Sequence, residues 1–176
     1  MFRLSPTRIA LSVAMLLMLS CASTKIESNK DPQFTHKVSK IFITVRSSEG
    51  SWGFFRPFIY DYLQPELKKQ NVETTVHNFS PLSLESEKDV VAKIVAYQPD
   101  VVMSITQTER RSTTGQYGNS ETGATIDIKM FLPQKENPVW RASLKVDGNF
   151  DFASYVAAKR STTKLIEKMK ADGIIN

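Results

Sequence analysis

Two alternating runs joined by a short polar turn constrain this chain most. Ile126, Ile128, Met130 and Leu132 alternate with Thr125, Asp127, Lys129 and Phe131. Beyond the turn PQKENP, Trp140, Ala142, Leu144 and Val146 alternate with Arg141, Ser143 and Lys145. A period of two sends one side of each strand into a core and the other towards water, and so short a connection makes the pair antiparallel. Whatever else the chain does, it must build a sheet and cover one face of it.

The preceding segments supply more strands and their covers. Lys40 to Val45 (KIFITV) and Val101 to Thr106 (VVMSIT) are β-branched and apolar, short enough for buried strands, and Val72 to Phe79 (VETTVHNF) is a third. Along the chain between the first and the last named of these lies a helical stripe of Phe54, Phe55, Phe58, Ile59, Tyr62, Leu63 and Leu67, ending at Lys68-Lys69-Gln70-Asn71. Pro57 suits a first turn, whereas Pro65 predicts a kink or restart. Ser86 to Asp89 opens another helix with Val90, Val91, Ile94 and Val95 as its apolar positions, and Pro99 ends it. After Asp147-Gly-Asn149 a last helix carries Phe152, Tyr155, Val156, Leu165, Ile166 and Met169, with Gly173 placed to cap it. The expected fold is α/β: β-α-β-α-β-β-β-α, one mixed five-stranded sheet in the order 2-1-3-4-5, with helices packed on it.

The first twenty residues are a different kind of segment. Arg3 and Arg8 precede Ile9 to Leu19, eleven residues apolar except for Ser12. That run is too short to span the roughly 30 Å of bilayer hydrocarbon as a helix. A basic start, a short apolar core and small residues after it make an export signal. Ser20-Cys21-Ala22 would serve ordinary signal peptidase. Alternatively, Met18-Leu19-Ser20-Cys21 resembles the lipobox of bacterial lipoproteins, which implies diacylglyceryl and palmitate-type acylation at Cys21 and cleavage just before it. Cys21 is the chain's only cysteine, which favours the lipobox. Two or three acyl chains at about 0.8 kcal/mol per buried methylene hold a protein on a membrane where one chain alone is marginal. In that family Asp after the cysteine favours the inner membrane; Ala22 in its place points to the outer membrane, facing the periplasm.

The expected division is therefore 1–20 as signal peptide, 21–37 as lipidated cysteine plus flexible tether, and 38–176 as a single domain. The tether reading rests on ASTKIESNKDPQFTHK, which is polar, contains Pro32 and shows no periodicity. Without partners for Cys21 no disulfide contributes. The 23 Lys+Arg fall to 21 when the leader's two arginines leave, against 18 Asp+Glu, a balance that gives no case for nucleic acid.

The run YQPDVVMSIT and the pair TIDIKMFLP…NPVWRASLKV resemble a group of bacterial envelope proteins. It comprises small lipoproteins, the amino-terminal region of TolB, the curli-secretion lipoprotein CsgG and the penicillin-binding-protein activator lipoproteins. Asp127-Ile-Lys-Met-Phe131 and Val139-Trp-Arg-Ala142 carry the likeness, which spans roughly residues 40–172. It implies docking to envelope machinery without chemistry of its own.

Side chains with catalytic or ligating character are sparse. The two histidines are His36, in the tether, and His77, expected at a strand edge or surface; no metal or cofactor site is expected. The loop Ser47–Trp52, with Ser48, Gly50 and Ser51, could bind an anion where a strand end meets a helix start. Gly50-x-x-Gly53 is short of any phosphate fingerprint, and a serine nucleophile would need His77, expected far from it. The polar stretch 107–123, with Arg110, Arg111 and Tyr117, reads as a long loop with interface-type residues. The expectation is a lipid-anchored accessory protein, not an enzyme, whose partners are the membrane and another envelope protein or cell-wall component. The alternatives are an envelope hydrolase using the Ser47–Trp52 loop and a structural lipoprotein binding cell-wall polymer.

Overall fold

The computed structural model describes residues 23–46, 52–79, 83–116, 118–148 and 150–176. Cys21, the Ser47–Ser51 stretch with Ser48, Gly50 and Ser51, and Tyr117 lie outside the described residues.

In chain order the elements are β1 (Ser23–Lys30), β2 (Lys40–Arg46), α1, β3 (Glu73–Asn78), α2 (Glu87–Tyr97), β4 (Val101–Gly115), β5 (Gly118–Phe131), β6 (Trp140–Asp147) and α3 (Phe150–Ala171). α1 runs through Trp52–Arg56, a π-helical Pro57–Leu63 and Gln64–Lys69. The sheet order is β1-β6-β5-β4-β2-β3. β2 is parallel to both β3 and β4, and the remaining pairs are antiparallel.

The five expected strands stand in the expected order, but the sheet has a sixth. Ser23–Lys30 is an edge strand paired residue for residue with β6, from Ser23 opposite Asp147 to Lys30 opposite Trp140. The flexible tether is thus corrected over this stretch. What hid the strand is its place at the edge: Lys25, Glu27 and Asn29 are exposed, Thr24 is buried, and Ile26 is its lone partly buried aliphatic packed on the core. Residues 31–39 are tied down as well. Phe34 and Val38 join the core, and the Val38 amide donates to the Ile174 carbonyl at 2.9 Å.

One face of the sheet bears Ile41, Ile43, Val45, Met103, Ile105, Ile126, Ile128, Trp140, Leu144 and Val146, all buried beneath α1 and α3. α1 keeps its apolar stripe in register: Phe55, Phe58, Ile59, Leu63 and Leu67 have no exposure. The disturbance expected at Pro65 takes the form of the preceding π turn, where the Gln64 amide reaches back five residues to the Ile59 carbonyl. A proline one residue on has no N–H to return the ladder to regular α spacing. α3 turns inward a face of smaller residues than expected. Ala157, Ala158, Ser161, Thr162, Leu165 and Met169 are buried, while Tyr155 and Val156 are half exposed. Small residues there let the helix approach the sheet closely. The helix ends in a Schellman arrangement: Gly173 adopts φ +69°, its amide donates to the Lys170 carbonyl, and that of Ile174 donates to Met169.

α2 covers the other face only at the β2–β3 side. Ser86 and Asp89 form a reciprocal capping box, and Gln98 closes the helix in the left-handed region before Pro99. Of its expected apolar residues only Val90 is buried; Val91 and Val95 are exposed.

Candidate functional site

The sheet presents two unlike ends. β1 begins, and β2, β3 and β6 finish, at the end past which β4 and β5 continue. There the expected loop at 107–123 is in fact a two-stranded arm. Pairing runs from Arg111 opposite Gly123 to Ser112–Glu121, Thr113–Ser120, Thr114–Asn119 and Gly115–Gly118. Alternation of Thr, Ser and Asn without aliphatic residues gave no buried face to recognise, so the sequence pattern read as a loop. Register shifts between Gln107 and Glu109 and between Arg111 and Ser112 bend and twist the arm at its base.

Arg111 fixes that base. Its Nη2 donates to the Ala124 and Val146 carbonyls at 3.1 and 3.0 Å and to Asp147 Oδ1 at 2.8 Å. Its Nη1 donates to Glu109 Oε2 at 2.8 Å and Thr125 Oγ1 at 3.0 Å. Arg111, expected as a partner contact, bonds through its guanidinium to three strands of its own sheet. Gly123 makes room for it: a Cβ there would lie 2.7 Å from the Val146 carbonyl oxygen and 2.8 Å from Arg111 Nη2. Thr125 donates to Glu109, and that hydrogen bond first, with the Arg111 charge adding to it, lowers the Glu109 carboxyl below its usual range. Arg110 pairs with Glu121 at 3.5 Å and remains nearly half exposed.

The open face of β5 and β6 holds the polar half of the signature read from the sequence. Asp127 Oδ1 accepts from Arg141 Nε at 2.7 Å and its Oδ2 from Arg141 Nη2 at 3.2 Å, with Lys129 Nζ 3.0 Å away. Burial alone would raise this carboxyl, but the bonds from Arg141 and Lys129 outweigh it and hold it below the usual range. Trp140, one residue from Arg141, faces the other way into the core, 1% exposed as expected, and its Nε1 donates to Asp172 Oδ2 at 2.8 Å. The signature therefore splits by strand alternation into a charged surface cluster and a core anchor.

His77 does lie on the edge strand β3, but its side chain is 11% exposed rather than superficial. It packs against the Phe42 and Phe79 rings with Nε2 3.6 Å from Glu85. Parallel pairing brings Thr44 opposite His77, so His77 stands near the strand end from which the Ser47–Ser51 stretch departs. His36 is exposed, beside Phe34. Among the described residues, no three His, Cys, Asp or Glu side chains converge as metal ligands.

A groove of about 890 Å³ runs between α1 and the free edge of β3, lined by Tyr60, Gln64, Lys68, Glu73 and Thr74. Gln64 Nε2 donates to Thr74 Oγ1 at 3.1 Å and Asn78 Nδ2 to the Tyr60 hydroxyl at 2.7 Å, so helix and strand are bridged along it. An edge strand beside a helix is the geometry into which an extended backbone can add.

No family model and no curated protein matches this chain. Solved structures do. The PelC dodecamer from Paraburkholderia phytofirmans aligns at TM-score 0.55 and 12% identity, over 82% of this chain and 95% of that one. A point-mutated PelC dodecamer aligns equally at 0.55, with 14% identity, over 82% and 96%. Lipoprotein GNA1162 from Neisseria meningitidis aligns at 0.44 and 10% identity, over 76% and 99%. The first two share the fold. At these identities that is all the likeness carries.

Proposed function

We propose that this chain is a lipid-anchored protein of the bacterial cell envelope that works by contact and not by catalysis. The observation that carries the reading joins sequence and structure. An export-type leader ends at the sole cysteine, and two residues later the chain is already in register in β1. An acylated Cys21 would thus be bonded almost directly to the sheet, holding the domain against the bilayer and not on a tether. The kinship with TolB, CsgG and penicillin-binding-protein activators implied by the Asp127–Phe131 and Val139–Ala142 signature belongs to this reading, as does the outer-membrane, periplasm-facing location. The PelC fold suggests a further partner, a second copy of this chain, for which β1 and β3 are the edge strands among the described residues.

Metabolic labelling with a palmitate analogue tests the anchor: the wild type should take up label and Cys21→Ser should not. Equal labelling, or a mature protein starting at Ser23, would refute it. Ser48→Ala, Ser51→Ala and His77→Ala should leave cellular function intact. Loss of function in any of them with the fold preserved would establish the hydrolase alternative, because removing a nucleophile or base costs several powers of ten in rate.

A further inference from the structure

Ser23, the first described residue of β1, and the arm lie at the same end of the sheet. Ser23 is level with Asp147, and Asp147 with Gly123, where the arm leaves the sheet. From Arg111 to Gly115 the arm advances four residues beyond that level, about 14 Å at roughly 3.4 Å per residue. The chain from Cys21 to Ser23 spans two Cα steps, at most about 7 Å when extended. In an upright sheet the arm therefore reaches about 7 Å further towards the bilayer than the lipid-bearing residue itself.

We propose that the β4–β5 arm is a membrane-surface element seated among lipid headgroups, a role that rests on the reading of Cys21 as lipidated. The Arg111 clamp on Ala124, Val146 and Asp147 makes arm and anchor share one frame, because Asp147 pairs with Ser23 itself. The arm's described chemistry suits headgroups more than hydrocarbon. Ser112, Thr113 and Gln116 are exposed hydroxyl and amide donors for phosphate and glycerol oxygens. Its described acid, Glu121, is partly buried and paired with Arg110, so it adds little repulsion towards an anionic leaflet.

The test uses the full chain acylated in cells, with Gln116→Cys as its free thiol, carrying an environment-sensitive fluorophore. It is reconstituted in vesicles of phosphatidylethanolamine and phosphatidylglycerol containing headgroup-nitroxide lipid. The same label at Gln134→Cys, exposed in the turn at the opposite end of the sheet, is the reference. Quenching should be several-fold stronger at 116 than at 134. Equal quenching at the two sites in acylated protein would overturn the proposal. So would a 116–116 crosslink between copies without quenching, which would make the arm a copy-to-copy contact. Absence of palmitate label on the wild type would instead fail the anchor reading itself, and the two failures are separable because acylation is measured on the same preparation.

Discussion

The two ends of the sheet are held by opposite means. At the end distant from the arm, carboxylates gather the chain inward. Asp172 accepts from Ser28 Oγ at 2.5 Å, Trp140 Nε1 at 2.8 Å and Lys168 Nζ at 2.7 Å, while its carbonyl accepts from Lys30 Nζ at 2.8 Å. Asp100 accepts from the Ser39 and Lys40 amides at 2.7 and 2.8 Å and from the Ser39 hydroxyl. At the arm end a cation, Arg111, reaches outward across strand ends, and the strands run on with no further neighbours among the described residues. One end closes a core; the other presents backbone. The contrast teaches that the polar residues of this chain do two separable jobs, and single changes can break either alone.

The largest effect is expected where the carboxylate end meets the core. Trp140→Ala removes a fully buried ring and leaves Asp172 short of a donor, a large-to-small change costing about 3–5 kcal/mol. Chemical denaturation measures it, and a loss under about 1 kcal/mol would deny the ring its core role.

Next comes removal of β1. A chain beginning at Val38 lacks the strand that covers the β6 edge and supplies Ser28 and Lys30 to Asp172. Its melting temperature should fall by about 10 °C or more, equivalent to roughly 3 kcal/mol for a chain of this size. An unchanged transition would return residues 22–37 to the status of a tether.

Asp172→Asn should be intermediate, about 1–3 kcal/mol, since it weakens hydrogen bonds to a charged acceptor. It also carries a pH signature. Burial pushes the Asp172 carboxyl up, but the bonds from Lys168, Ser28 and Trp140 pull it further down, below 3.8. A depressed folded pKa stabilises the fold above the unfolded value and loses that contribution as pH falls through the folded one. The wild type should therefore lose its advantage over Asp172→Asn as the pH falls below about 4. Parallel stability curves from pH 6 to pH 2 would contradict this.

Much of this frame was legible because burial imposes periodicity. The β5–β6 alternation, the α1 stripe and the Ser86–Asp89 helix start all leave an apolar or capping pattern that the folded chain honours. The two stretches misread, 22–37 and 107–123, hold strands (Ser23–Lys30 and the arm of β4 and β5) satisfied mainly through their backbones. An edge strand with one aliphatic residue and an arm of hydroxyl side chains bury too little to write a pattern of period two. The bonds of Arg111 to its own sheet were not foreseen, because nothing in its local sequence reports Val146 and Asp147 across the sheet. Asp172 was missed altogether. The nearby signal was Gly173, whose cap fixes where the helix stops and so where the preceding side chain points.

Gly123→Ala probes the arm end from the inside. The added Cβ meets a backbone carbonyl, which cannot swing aside, as well as the clamp. A cost of about 1–3 kcal/mol is expected, as for overpacking. Arg111→Met in the same chain should relieve part of it by clearing one of the two contacts, whereas additive losses would place the clamp elsewhere.

The smallest effect on stability should follow from shortening the arm itself. Replacing residues 113–120 by Asn-Gly joins Ser112 to Glu121 through a two-residue turn suited to an antiparallel pair. No core residue is touched, the Arg111 clamp survives, and Arg110 keeps Glu121. Stability should stay within about 0.5 kcal/mol of the wild type, the range of surface changes away from caps, cavities and buried charges. If the arm were instead holding the domain together, the shortened chain would melt lower, and the division between a closing end and a presenting end would fail. With stability preserved, any change in vesicle contact belongs to the arm alone. The fluorophore for that measurement then moves to Thr108→Cys, exposed below the arm on β4, where weaker quenching than at Gln116 in the full-length chain is the expected outcome.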